Sequence, residues 1–199
     1  MSKVTTGASM SLDGYIAGPN ESGFDKLFQW YENGDVDFPT THADMTFRLT
    51  QASADHVDSY LANVGAFVVG RHLFDVTTGW GGIHPLDKPI VVLSHSDRRP
   101  EGWTGDEPFT FVSEGIEAAI EKAKEIAGGK DVGLNGGTIA SQALNAGLLD
   151  EVWVDLVPVL LGGGTPFFDG LTGGPVDLEG PVSITEGKAV THLRYRVRR

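Results

Sequence analysis

Three short apolar runs, each breaking on small or polar residues, constrain this chain more than any other feature. They are Val68-Val69-Gly70-Arg71-His72-Leu73-Phe74, Val91-Val92-Leu93-Ser94-His95-Ser96 and Val132-Gly133-Leu134-Asn135-Gly136-Gly137-Thr138. Runs this short, without polar alternation, read as strands buried on both faces. Between the second and third, Ile116, Ala119, Ile120, Ala123 and Ile126 recur at helical spacing and stop at Gly128-Gly129. Strands alternating with helices predict an α/β fold, an open and mainly parallel sheet covered on both faces.

The rest of the chain fits around that centre. Lys3 to Ser11 reads as a first strand running into Gly-rich turns at Asp13-Gly14 and Gly18-Pro19. Further strands are expected at 66–69, 89–93, 109–112, 131–134 and 152–159, with an antiparallel pair at 182–185 and 190–197. Helices are expected at 53–63, from Arg71 to Val76, and at 138–146. The stretch 170–181 reads as a surface loop, and 19–44 as irregular. The aromatic residues Phe24, Phe28, Trp30 and Tyr31 in that long segment either cover a site or anchor it to the core. A chain of 199 residues with no repeat and no linker is read as one domain, 1–199.

In an open α/β sheet, ligands collect beyond the carboxyl ends of the strands. A helix N-terminus there offers unpaired N–H groups that suit phosphate. Gly70, Gly136 and Gly137 let such a ligand approach the backbone with no Cβ in the way, although each glycine also fits ordinary turn chemistry. Neither G-x-G-x-x-G after the first strand nor a Walker loop is present.

Other classes fall away on composition and spacing. A formal charge of −12 argues against a nucleic-acid surface. With no cysteine there is no disulfide, thiolate metal site or Cys nucleophile. No segment approaches the roughly 18 apolar residues of a membrane span, so no membrane association and a cytoplasmic location are expected. The six histidines show no metal-ligand spacing, Asp35, Asp37 and Asp44 make no calcium loop, and no G-x-S-x-G elbow occurs. No metal is expected.

Val69-Gly70-Arg71-His72 followed by Ile90-Val91-Val92-Leu93-Ser94 resembles the paired cofactor motifs of dihydrofolate reductases. The opening Ser11-Leu12-Asp13-Gly14-Tyr15-Ile16-Ala17 is similar to the bacterial riboflavin-pathway reductase (RibD C-terminal) domain. So are Gly136-Gly137, the stretch from Leu144 through Asp150-Glu151-Val152, and Pro158 to Gly164. The resemblance implies a three-layer dihydrofolate reductase-like fold with a mixed, mostly parallel sheet, an NADPH cofactor, a small-molecule substrate and a homodimer. An apolar segment from Val152 to Leu161 with the terminal strand pair offers an edge for that pairing.

Carried onto this chain, the resemblance assigns Gly70, Arg71 and His72 to the adenosine-side phosphates, with Arg71 a fork-shaped donor for the 2′-phosphate. Leu93, Ser94 and His95 flank the same phosphate. Asn135, Gly136, Gly137 and Thr138 belong under the pyrophosphate, and Ile16 and Ala17 face the nicotinamide. Asp13 is the candidate catalytic acid, orienting substrate or donating a proton, or else it caps its own turn. Trp30, Phe74, Leu161, Gly162 and Phe168 are the candidate substrate contacts. Asn135 stands where riboflavin-pathway reductases carry an acid, and no carboxylate aligns with the dihydrofolate reductase acid on the helix after the first loop. The reaction expected is NADPH-dependent reduction of a flat heterocycle or small carbonyl. The alternative is a non-catalytic nucleotide-binding module of the same fold.

Overall fold

A computed structural model describes residues 2–95 and 109–198 of the chain. Ser96, the last residue of the second junction, lies outside the described residues. In chain order the strands are β1 (Val4–Ser11), β2 (Tyr15–Ala17), β3 (Val36–Pro39), β4 (Thr46–Leu49), β5 (Val64–Gly70), β6 (Ile90–Leu93), β7 (Phe109–Val112), β8 (Asp131–Leu134), β9 (Glu151–Val157), β10 (Thr165–Pro166), β11 (Leu178–Gly187) and β12 (Val190–Val197). The α-helices are α1 (Phe24–Leu27), α2 (Gln51–Asn63), α3 (Arg71–Val76), α4 (Ile116–Ala127) and α5 (Thr138–Asn145).

Eight strands form one sheet in the order β11-β12-β9-β1-β8-β5-β6-β7. The pairings from β9 through β7 are parallel, and β9-β12 and β12-β11 are antiparallel. This is the mixed, mostly parallel sheet that the alternating elements predict. On one face, α4 and α5 cover a core containing Val68, Val91, Ile120, Val132, Leu134, Ile139 and Val152. The helical spacing read in the sequence is the buried stripe of α4, and Gly128 ends that helix with φ +59°. A left-handed residue there is what glycine supplies without strain.

The other face is divided. Beneath α2 lies a cluster of Leu27, Trp30, Leu49, Ala54, Val57, Val157 and Val190. Beneath α3 lies a second, of Val69, Phe74, Ile90, Val92 and Phe109. Thr50 caps α2, its hydroxyl accepting from Ser53 N at 3.3 Å.

Three expectations need correction. The 19–44 segment holds α1, β3 and two short 3₁₀ turns, and β3 pairs with β4 as a hairpin. Elements of three or four residues carry too little periodicity to be read; here they are held by burial of Leu27, Trp30 and Leu49. The loop read at 170–181 ends early, because β11 begins at Leu178. The apolar segment from Val152 is not an edge, since β9 lies between β1 and β12. The outer strand is β11, mostly exposed.

Candidate active site

The cleft begins where the sheet splits. β1 pairs with β8 only from Val4↔Val132 to Thr6↔Leu134, whereas it stays paired with β9 as far as Ser11↔Val157. Beyond Thr6 the two central strands diverge, at the point in an open sheet where ligands bind. On the divided face two glycines make room for aromatic side chains that lie over the sheet. A Cβ on Gly133 would sit 2.4 Å from the Phe67 ring and 2.8 Å from the Tyr60 hydroxyl, and one on Gly7 would touch Trp153 at 3.5 Å. Glycine at these positions lets the aromatic rings lie down on the sheet. The resulting cleft has a volume of about 810 Å³ and runs between α2 and α3.

One wall is formed by the ends of β5 and β8. Gly70, His72, Asn135, Gly136, Gly137 and Thr138 line it, with Ile16 and Ala17 beside the glycines. Gly136 packs so closely that a Cβ would meet Ile16 Cδ1 at 3.0 Å. Gly137 has φ +77° and ψ −141° and donates its N–H to Phe167 O at 2.8 Å. L side chains rarely adopt such a conformation. Asn135 Oδ1 is buried with no hydrogen-bond partner among the described residues, an acceptor turned toward a wall that a ligand can satisfy. His72 pairs with Glu21 across the cleft mouth.

Arg71 begins α3 between Gly70 and His72, and its Nε donates to Asp75 Oδ1 at 2.8 Å. Leu93 ends β6 half-buried, Ser94 is buried with its N–H on Val112 O at 3.0 Å, and His95 is exposed. These four residues do not line the cleft itself.

The expected substrate contacts lie elsewhere. Trp30 is buried behind the floor, where its indole N–H donates to Ser9 Oγ at 2.9 Å. Phe74 is core, packed edge-on against Phe109 and Phe111. Phe168 packs beneath Gly137. Leu161 and Gly162 donate their N–H groups to Asp13, at 3.1 and 2.7 Å. That exposed carboxylate also accepts from Ser11 Oγ at 2.6 Å. The Ser11 bond and the two backbone donors hold Asp13 below the usual carboxylate range. The structure therefore makes Asp13 a clip between two loops, away from the cleft wall and held ionised, the reverse of what a proton donor needs.

The second wall was legible only in part: of the aromatic residues read as covering a site or anchoring their segment, Phe24, Phe28 and Tyr31 line the cleft and Trp30 is the anchor. The two Phe rings stack at 5.7 Å, and Tyr60, Leu61, Phe67 and Trp80 continue the apolar lining. Alternation along β9 and its neighbours turns Ser9, Trp153, Asp155 and His192 toward α2. Asp155 Oδ1 accepts from His192 Nδ1 at 2.7 Å and lies 3.2 Å from His56 Nε2. The rings of His56 and His192 stack at 4.0 Å. Burial alone would raise the Asp155 carboxyl; hydrogen bonds from His192 and His56, and their charge, outweigh it and hold Asp155 below its ordinary value. Burial, then the Asp155 charge, raises the Tyr31 phenol. His84, on the far rim, is pushed down to about 4 by burial and the nearby His42.

The available sequence signal was two acids on one face of a strand, Glu151 and Asp155, in a segment otherwise apolar. Such a pattern in a central strand marks a face that water or a ligand reaches.

The family model for the RibD C-terminal domain matches residues 2–179. An uncharacterised Bacillus subtilis protein, YyaP, is 28% identical over 172 residues, covering 80% of this chain and 77% of its own. A Shewanella sp. PV-4 protein named for riboflavin biosynthesis has a structure similar at a TM-score of 0.71, with 22% identity and 99% of both chains covered. A Thermotoga maritima deaminase/5-amino-6-(5-phosphoribosylamino)uracil reductase matches at 0.61 with 14% identity, over 99% of this chain and 57% of its own. Dihydrofolate reductase of Enterococcus faecalis, solved with NADP(H), matches at 0.53 with 13% identity, over 99% and 97% of the two chains. At these identities the likeness to the solved structures is one of fold. Among the described residues, no helix is long and apolar enough to cross a membrane.

Proposed function

This chain belongs to the RibD C-terminal domain family, and from that premise we propose that it is an NADPH-dependent reductase of a flat small molecule. The observation that carries the reading is the split sheet. It opens a cleft with the Asn135-Gly136-Gly137-Thr138 turn on one wall and polar, titratable side chains on the other.

The residues present fit the cofactor. Gly136 and Gly137 keep side chains out of the wall, Asn135 Oδ1 is a buried acceptor that suits a ribose hydroxyl or the carboxamide N–H rather than a phosphate, and the first turn of α5 carries N–H groups with no intrahelical partner. Arg71 and Ser94 would meet the 2′-phosphate that distinguishes NADPH from NADH. Bound there, NADPH supplies a hydride. Ile16, Ala17 and Ala8 form the apolar surface beside the reacting ring and exclude water from it. Phe24 and Phe28 offer a stacking platform for a flat substrate.

Titration with NADPH and NADH is the first test, and NADPH is expected to bind at least tenfold more tightly. The second follows NADPH oxidation with dihydrofolate, 5-amino-6-(5-phosphoribosylamino)uracil, simple quinones and carbonyls. Turnover of one is the expected result. Tight NADPH binding with no oxidation by any of them would favour the non-catalytic module, and weak, equal binding of both cofactors would overturn the reading.

We further propose that two chains pair. The interior place of β9 removes the edge first expected, but Leu12, Leu160 and Ile184 remain exposed at 62%, 69% and 59%. Sedimentation at micromolar concentration should give the mass of two chains; the mass of one would refute it.

A further inference from the structure

On the reductase reading, the substrate needs a proton as well as a hydride, and Asp13 is not placed to give it. We propose that His56 is the acid at the cleft floor, positioned by Asp155 and His192. The hydrogen bonds run in one direction. The Thr50 hydroxyl donates to Ser53 Oγ at 3.1 Å, which leaves the Ser53 proton for His192 Nε2 at 3.0 Å. His192 is thereby assigned the Nδ1–H tautomer and donates to Asp155 Oδ1. His56 Nε2 stands 3.2 Å from the same oxygen, and on this proposal its proton lies there. Its Nδ1 is then the nitrogen that gains and releases a proton, and the positive charge this creates is balanced by the Asp155 carboxylate.

His192 is wholly buried, whereas His56 and Asp155 line the cleft beside Ser9, Tyr60 and Trp153. Of the pair of histidines, His56 alone reaches a bound molecule. The other groups facing this cluster are poor competitors. Tyr60 on α2 is pushed up to about 12, first by burial, and Tyr31 is raised in the same way. Trp30 meets the His192 ring edge-on. Arg194 on β12 lies over Trp153, near Glu151.

The chemistry balances. Hydride adds with its electron pair to the carbon of a C=N or C=O bond, and the π pair moves onto nitrogen or oxygen. That atom takes the proton from His56 Nδ1, and water in the cleft restores it. The same three residues could be read as a metal site, but the ring geometry opposes it. Rings stacked at 4.0 Å and inclined by 19° direct their in-plane lone pairs side by side. They do not converge on one ion about 2.0–2.1 Å from each nitrogen.

Ring-nitrogen NMR of the ligand-free protein tests the acid without any cofactor. His56 is expected to carry its single proton on Nε2 and His192 on Nδ1, and the His56 preference is expected to give way to a mixture of tautomers in Asp155→Asn, a substitution of equal size. The Nδ1–H tautomer at His56, or no change in Asp155→Asn, would overturn the proposal whatever the protein reduces. So would stoichiometric binding of Zn²⁺ that is lost in Asp155→Asn. With NADPH and 5-amino-6-(5-phosphoribosylamino)uracil or dihydrofolate, His56→Gln should lower kcat about 100-fold with NADPH affinity unchanged. Ser53→Ala, which removes the link between Thr50 and His192, should shift the pH profile of kcat and leave KM alone. Unchanged kcat in His56→Gln would overturn the assignment. If NADPH fails to bind at all, the reductase reading falls, and the NMR result still decides whether His56 is the acid.

Discussion

The wall of the cleft at the ends of β5 and β8 is made mostly of backbone, and the wall under α2 is made of side chains. The first is written in consecutive residues, Asn135 to Thr138, whose glycines leave the chain open to a ligand. The second is assembled from α2, β9 and β12, with Asp155 and His192 37 residues apart and Ser53 and His192 139 apart. A backbone wall serves any ligand with the same phosphates. A side-chain wall can change its chemistry one residue at a time. The comparison explains how one fold can keep a cofactor and exchange substrates.

The largest effect that would break this contrast comes from Gly137→Val. At φ +77° and ψ −141° a β-branched residue is strained by roughly 1–3 kcal/mol, and its side chain enters the wall. NADPH affinity should fall at least 100-fold, as measured by fluorescence titration, while the tautomers of His56 and His192 stay as in the unaltered protein. Retention of NADPH affinity within a few-fold would mean that the glycine turn is not the cofactor wall.

Arg71→Ala comes next. Loss of a charged donor to the 2′-phosphate should weaken NADPH by roughly 1.5–3 kcal/mol and leave NADH nearly unchanged. Equal weakening of both would place Arg71 in folding, through its contact with Asp75, rather than in cofactor choice.

The same contrast decides what was legible in the sequence. The parallel sheet, α4 and α5 and the Asn135-Gly136-Gly137-Thr138 turn depend on local pattern, and the structure agrees with each. Trp30, Phe74 and Phe168 are substrate contacts in the pocket that the resemblance implies. Their rings point into the core, and which face an isolated aromatic takes is set by tertiary packing. His56 and His192 stayed hidden because a search by spacing finds pairs on one element only. Their meeting requires the β9-β12 register His192↔Asp155, which no local pattern specifies.

Asp155→Asn probes the side-chain wall through stability. A carboxyl held below its ordinary value in the folded state contributes stability above the unfolded value of about 3.9, lost as pH falls through the folded value. Urea denaturation should therefore show the variant less stable by about 1–3 kcal/mol at pH 7. The gap should stay constant down to about pH 5 and narrow progressively as pH falls below about 4. A gap that does not narrow with acidification would assign the loss to packing rather than to the ion pair.

The smallest effect is expected from Asp13→Ala, which lies outside both walls. Asp13 is exposed, and its carboxylate joins the turn after β1 to the backbone at Leu161 and Gly162. Leu161 in turn fills the space above Gly23, where a Cβ would stand 2.7 Å from its Cδ2, so the clip reaches the segment that carries Phe24 and Phe28. Removing it should loosen the stacking platform and raise KM a few-fold. It should leave kcat and its pH profile alone, because no proton passes through a group held ionised by three donors. A fall in kcat with a displaced acid limb would return Asp13 to the chemistry and take that role from His56, whereas a change in KM alone leaves the proton with the side-chain wall.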